Sequence, residues 1–198
     1  MGRLAGLLAA AILALTGGVS SAAEIPAPCL QPATDMDMTL AGLEREGWTI
    51  LPGGTLTPSV ADLLVWSYVP NYIGGDTGGE PLSTLLPLQA RTVEGLARKR
   101  DIPSSKTRLA RRDGAALAVF WRVEAPGRLE IQCRAAFVDP AAETPATEVA
   151  RDPQQSLEDG FVLTTRLDAP ALSARAGGVP VPTTVIDSTI RFAGEPAQ

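Results

Sequence analysis

The sequence predicts an α+β fold in which N-terminal helices pack on an antiparallel sheet of about four to five strands, held by one disulfide. Three observations predict it. Apolar residues recur every three or four positions in the first half of the chain, they alternate in the second half, and only two cysteines are present. Helices followed by strands favour an α+β fold over an alternating α/β fold.

Three helices are predicted in the first half from apolar spacing and from start and stop signals. In the first, Met36, Leu40 and Leu43 share a face, and Gly47 is a suitable C-cap. The predicted helices run from residue 35 to 47, from Thr57 or Ser59 to before Pro70, and from Ser83 to about Arg100.

The predicted strands lie mainly in the second half, where apolar and polar residues alternate. The clearest pair is joined by Pro126-Gly127, a tight-turn signal that predicts an antiparallel hairpin. The predicted strands are residues 48–51, 115–124, 128–138, 161–167 and 183–192.

Residues 1–23 have the pattern of a secretory signal peptide: Arg3, an apolar run from Leu4 to Leu15, and small residues before Glu24. The apolar run is shorter than the roughly 20 residues that span a bilayer, so no transmembrane segment is expected. We therefore expect cleavage near Ala23 and one exported globular domain, residues 24–198, in the periplasm or secreted.

The two cysteines, Cys29 and Cys133, are expected to form a disulfide, because an exported chain with an even number of cysteines favours one. Two free thiols or an intermolecular bridge remain alternatives. Pro28 directly before Cys29 disfavours lipidation of that cysteine. In the strand around Cys133, Leu129, Ile131 and Cys133 share one face, whereas Glu130, Gln132 and Arg134 share the other.

The chain has no histidine. This excludes Ser-His-Asp and Cys-His catalysis and histidine-ligated metal sites, and no metal or cofactor is predicted. Paired carboxylates remain possible catalysts. The tripeptide Asp76-Thr77-Gly78 matches an aspartic protease motif, but it lacks a preceding apolar strand and a second copy. We interpret it as a glycine-rich connector, with a binding loop or a calcium contact through Asp76 and Glu80 as alternatives.

The segment 91–112 carries eight basic residues against Glu94 and Asp101, although the whole chain has a formal net charge of −5. Such segregation produces a local positive field that can dock an anionic envelope component or an acidic protein; nucleic acid is not an expected partner. The alternative is a solvated helix end and loop. The predicted partner-binding residues are Arg98, Lys99, Arg100, Lys106, Arg108, Arg111 and Arg112.

The segment 139–159 contains six acids and one arginine. Its length and its three prolines predict a mobile surface loop or a segment that folds onto a partner. Alternatively, its acids neutralise the basic segment.

Four candidates for exposed aromatic residues, Trp66, Tyr68, Tyr72 and Phe120, suggest a carbohydrate-binding face. We expect most of them to pack in the core instead.

Taken together, these patterns favour a small exported binding or accessory protein that docks through the basic segment, and not an enzyme. A carboxylate-dependent hydrolase of glycan or peptide and a structural assembly subunit remain as alternatives.

Overall fold

The computed structural model describes residues 23–52, 56–73, 81–99 and 106–194. Within these ranges lie four α-helices and eight β-strands. The helices are α1 (Met36–Arg45), α2 (Pro58–Tyr68), α3 (Leu82–Lys99) and α4 (Ala169–Arg175). The strands are β1 (Thr49–Ile50), β2 (Thr107–Arg112), β3 (Ala115–Ala125), β4 (Arg128–Phe137), β5 (Val149–Arg151), β6 (Gln155–Leu157), β7 (Gly160–Leu167) and β8 (Thr184–Ala193).

All eight strands form one antiparallel sheet in the order β1-β2-β3-β4-β8-β7-β5, with β6 also paired to β7. The long strands β3, β4 and β8 form its centre. The hairpin between β3 and β4 is confirmed, and its turn places Gly127 at a φ of 70°, a conformation that favours glycine. The α+β class is therefore confirmed.

The sheet is covered on both sides, because side chains on each central strand alternate between two buried clusters. One face, here called the α2/α3 face, packs Ala118, Ala136 and Val185 against α2, α3 and α4. The opposite disulfide face packs Ile131 and Ile186 against α1 and the N-terminal segment. Two cores on opposite sides of one sheet give three layers.

Cys29 and Cys133 form the predicted disulfide, with their Cα atoms 5.9 Å apart. Cys29 lies in a short 3-10 helix, Ala27–Leu30, and Cys133 lies on β4. Both are buried in the core of the disulfide face. The bridge thus fixes the N-terminal segment to the centre of the sheet.

The prediction of four to five strands was too low. The short strands β5 and β6 and the six-residue strand β2 were not predicted. Strand β2 has only two fully buried apolar residues, Leu109 and Ala110, and these are consecutive and face opposite cores. A strand with arginines on both sides of such a pair shows no alternation of apolar and polar residues.

The helices are also not all N-terminal, because α4 lies between β7 and β8. Asp168 caps it by accepting a hydrogen bond from the backbone N–H of Ala171 at 3.1 Å. Its seven residues bury one leucine, Leu172. A helix of two turns is too short to show a clear apolar period, which explains why the sequence did not predict it.

Several sequence predictions fall outside the described residues. They concern residues 1–22 of the predicted signal peptide and the glycine-rich connector at 74–80. Among the helices that the structure describes, none has the length and the apolar character needed to cross a membrane.

Replacing both cysteines by serine is expected to lower the free energy of unfolding. The bridge closes a loop with a sequence separation of 104 residues. The loop-closure model gives a loss of about 4 to 5 kcal/mol for such a span. Urea denaturation of the Cys29→Ser/Cys133→Ser variant measures it. A loss below about 1 kcal/mol would show that the N-terminal layer is held by packing alone.

Candidate functional site

A cleft of about 440 Å³ lies on the α2/α3 face of the sheet, where the helices leave part of the central strands uncovered. Four polar side chains line its floor: Gln132 and Arg134 from β4, and Asp187 and Thr189 from β8. We call this site the sheet-face cleft. It contains none of the residues that the sequence analysis predicted to bind a partner.

Strand register sets the arrangement of the floor. Gln132 pairs directly with Thr189, and Arg134 pairs directly with Asp187. Directly opposed side chains lie about 5 Å apart, and two residues along a strand advance about 6.7 Å. The four polar groups therefore form a compact patch of two rows on two neighbouring strands.

Apolar and aromatic side chains wall this floor. Phe120 of β3 pairs with Gln132, and Phe161 of β7 pairs with Thr189, so the two rings stand at opposite ends of one row. Three strand spacings, roughly 14 Å, separate the backbones that carry them. Leu96 of α3 overhangs the same space.

Gly160 allows β7 to come close to β8 beside the cleft. A Cβ atom at this position would lie 1.8 Å from the carbonyl oxygen of Thr189, so no other residue fits without a backbone shift. Gly160 is therefore needed to place the following residue, Phe161, against the cleft floor.

Arg134 forms the electrostatic centre of the cleft. Its Nε donates to Asp187 Oδ1 at 2.5 Å, and its guanidinium lies over the Tyr68 ring at 4.3 Å from the centroid. The side chains of Arg134 and Asp187 keep 22% and 21% of their surface exposed. The pair is thus partly buried, and solvent still reaches it.

Burial raises the pKa of the Asp187 carboxyl above its usual range, and the neighbouring Arg134 offsets only part of this effect. Burial also raises the pKa of the Tyr68 phenol, again with partial compensation by Arg134. The ionised Asp187 is therefore less stable here than in water despite its partner. Perturbed titratable groups in a cleft are typical of binding or catalytic sites.

A second set of charges lies one row beyond Gln132 and Thr189. Glu130, which is fully buried, accepts hydrogen bonds from Arg122 Nε and from Arg191 Nε, the latter at 2.9 Å. Arg122, Glu130 and Arg191 occupy directly paired positions on β3, β4 and β8. The two interior carboxylates of this face are therefore each held by arginine.

The cleft does not bring two carboxylates together. Asp187 is the one acidic residue that lines the cleft. Asp187 pairs with Arg134, and Glu130 lies four residues from Arg134 along β4. This corresponds to roughly 14 Å, beyond the separations of about 5 to 10 Å used by glycoside hydrolases. In the described part of the chain, no cluster of three or more acidic or cysteine residues could hold a metal ion.

The predicted basic segment does not form one surface where the structure describes it. Strand β2 places Arg108 and Arg112 on the disulfide face and Arg111 on the α2/α3 face. Arg112 lies over the Trp48 ring, 4.8 Å from its centroid, and Arg108 donates to the carbonyl of Thr107 at 2.8 Å. The arginines of this strand are therefore divided between two sides of the molecule.

The remaining predicted partner-binding residues lie before this strand. Arg98 is exposed on α3, and Lys106 is exposed immediately before β2. Lys99 ends α3, and Arg100 lies outside the described residues.

The part of the acidic segment that forms β5 and β6 lies far from β2. Four strand spacings, roughly 19 Å, separate β2 from β7, where the acidic segment pairs through β5 and β6. Two of the six acids contact nearby arginines, in the pairs Glu148–Arg175 and Asp152–Arg166. Part of the segment predicted as a loop is therefore strand, and its mobility stays a prediction.

The four aromatic candidates have different environments. Trp66 is fully buried in the core, whereas Tyr72 is 51% exposed. Tyr68 and Phe120 are half-buried and line the sheet-face cleft. The sequence thus drew attention to two residues of the site, but without the sheet register it could not connect them with Arg134 or Phe161.

Comparisons with protein-family models, with curated proteins and with solved structures give no match to this chain.

If the Arg134–Asp187 pair serves binding rather than folding, replacing both residues by apolar ones will be tolerated. We expect Arg134→Met/Asp187→Leu to change the free energy of unfolding by less than about 1 kcal/mol, since apolar replacement of a buried pair is often neutral. Asp187→Leu alone leaves Arg134 without its carboxylate and is expected to cost about 2 kcal/mol, reduced from fully buried cases by the partial exposure.

Urea denaturation of the unmodified protein, the double variant and Asp187→Leu measures this difference. Asp152→Leu, at the more exposed pair with Arg166, is the matched control and is expected to have a smaller effect than Asp187→Leu. A double variant that loses at least as much stability as Asp187→Leu would show that the ion pair is a structural element.

Proposed function

We propose that this protein is an exported binding protein that holds a small organic molecule in the sheet-face cleft. The observation that carries the proposal is the convergence of four polar side chains on a floor walled by aromatic and aliphatic groups. Ligand sites commonly combine mainly apolar walls with a few polar groups that fix orientation. The cleft volume of about 440 Å³ lies within the range of such sites.

The ion pair in the floor supports this proposal on energetic grounds. Moving a carboxylate and a guanidinium out of water costs free energy. The raised pKa of Asp187 indicates that its attraction to Arg134 does not fully offset this desolvation cost. A pair of apolar residues would fill the same place without this cost. Its presence in a solvent-accessible cleft favours a role in recognition.

Binding is favoured over catalysis because of the chemistry of the cleft lining. The chain has no histidine, and Asp187, the carboxylate at the cleft, is engaged by Arg134. The hydrolase and the assembly subunit stay predictions, since they depend on other surfaces. Export is proposed from residues 1–23, and a disulfide is compatible with an oxidising compartment.

Blocking the cleft is expected to abolish small-molecule binding. Thr92 is exposed on α3 and lines the cleft, so Thr92→Trp introduces a large ring there with little risk to the core. Thr84, exposed on α3 and not among the cleft residues, provides the matched control Thr84→Trp. Ligand-observed NMR with a mixture of small organic fragments compares both variants with the unmodified protein.

Fragments that bind the unmodified protein and Thr84→Trp should lose their signal with Thr92→Trp. Fragments that bind all three proteins equally, or a complete lack of binding, would contradict the proposal.

A second proposal is that the basic positions around β2 dock an anionic envelope component or an acidic protein. The observation that favours it is the exposure of four cationic side chains in this region, although they do not share one face. These are Arg98, Lys106, Arg111 and Arg112.

Replacing these four residues by glutamine is expected to reduce binding to heparin and to anionic vesicles. The attraction is electrostatic and should weaken as salt rises from low to physiological concentration. Retention on heparin and co-sedimentation with vesicles, each at two salt concentrations, measure the binding of the variant and of the unmodified protein. Binding that is independent of salt or unchanged in the variant would contradict docking through these residues.

A further inference from the structure

We infer that the ligand of the sheet-face cleft is a small organic acid, whose carboxylate binds Arg134 and whose short apolar tail lies between Phe120 and Phe161. This inference rests on the proposed function and adds the chemical class of the ligand. It follows from the donors of Arg134, from the balance of charge on this face and from the spacing of the two floor rows.

Arg134 has donors beyond its contact with Asp187. A guanidinium carries five N–H groups; the ion pair uses the one on Nε, and Tyr68 engages another. Asp187 is the one carboxylate among the described residues that accepts a hydrogen bond from Arg134. The terminal nitrogens of arginine match a carboxylate through two parallel hydrogen bonds.

The charge of this face favours an anion. Ion pairs on this face join four arginines to three carboxylates: Arg122, Arg128, Arg134 and Arg191 to Glu124, Glu130 and Asp187. The excess is one positive charge on a chain whose formal net charge is −5. A ligand with a single negative charge balances this excess, whereas Asp187 would repel a dianionic phosphate more strongly than a carboxylate.

The polar row and the aromatic row are separated by two residues along the strands, about 6.7 Å. A carboxylate over Arg134 therefore needs only a short spacer to place a flat apolar group between Phe120 and Phe161. Gln132 and Thr189 lie between the two rings and therefore under the tail, where they can hydrogen-bond to a polar substituent on it. Leu96 and Leu163 complete an apolar lining around the tail.

Three probes that share one tail and differ in charge test this inference: phenylpropionate, phenylpropanol and phenylpropylamine. Titration calorimetry or ligand-observed NMR should show binding in the order acid, alcohol, amine. The acid signal should disappear in Thr92→Trp and persist in Thr84→Trp.

Two charge variants connect the acid to the ion pair. Arg134→Gln should weaken phenylpropionate binding at least about tenfold, because it removes a charge-assisted hydrogen bond. Asp187→Asn keeps the shape of the side chain but removes the repelling charge, so it should strengthen binding of the acid about threefold or more. Asp152→Asn removes an equal charge at the Arg166 pair outside the cleft and should leave binding unchanged.

The outcomes separate this inference from the proposed function. If phenylpropanol or phenylpropylamine binds more tightly than the acid, and Thr92→Trp abolishes that binding, the cleft is a ligand site but its ligand is not an organic acid. If other fragments bind in the cleft and phenylpropionate does not, the acid is again overturned. If Asp187→Asn weakens binding of the acid, Asp187 does not compete with the ligand for Arg134, and the proposed contact between the acid and Arg134 is overturned. If no small molecule depends on the cleft, both proposals fail.

Discussion

The alternation of side chains along β4 is the constraint on which the rest of the structure depends. Cys133 and Arg134 are neighbours in the chain, yet they serve opposite faces of the sheet. Cys133 holds the N-terminal layer through the disulfide, and Arg134 forms the centre of the sheet-face cleft. A shift of register by one residue would exchange these two faces, which ties the covalent bridge and the proposed site to one strand pairing.

The same constraint explains why a charged floor is tolerated in the middle of the sheet. The disulfide face is filled by apolar residues such as Ile131 and Ile186 and is closed by α1 and the N-terminal segment. The α2/α3 face is closed only in part, because α2 packs on the central strands while the end of α3 leaves Gln132 and Thr189 at a cleft. Solvent access there lowers the desolvation cost that a fully buried Arg134–Asp187 pair would bear.

Much of the fold could be predicted from the sequence, because the long elements have strong local signals. Asp35 caps α1 by accepting a hydrogen bond from Met38, Pro126-Gly127 forms the turn of the central hairpin, and the two cysteines could pair in only one way. The elements that were missed lack such signals. Strand β2 is defined by its pairing with β3, and α4 is too short for its apolar period to be read.

The candidate site could not be predicted, because its residues come from six elements that only the sheet register and helix packing bring together. The sequence placed Gln132 and Arg134 on the same side of a strand but contained no indication that Asp187 and Thr189 face them. The basic segment was a prominent feature of the sequence, yet its charge is divided between two faces once β2 forms. Charge density along a chain and charge density on a surface are therefore different properties in this protein.

The central claim is that the sheet-face cleft receives a small ligand between Phe120 and Phe161. A crystal structure of the protein soaked with a fragment whose binding depends on Thr92 tests it most directly. We expect electron density for the fragment above Gln132 and Thr189, within hydrogen-bonding distance of the Arg134 guanidinium. Density for the fragment on another surface, with an empty cleft, would contradict it.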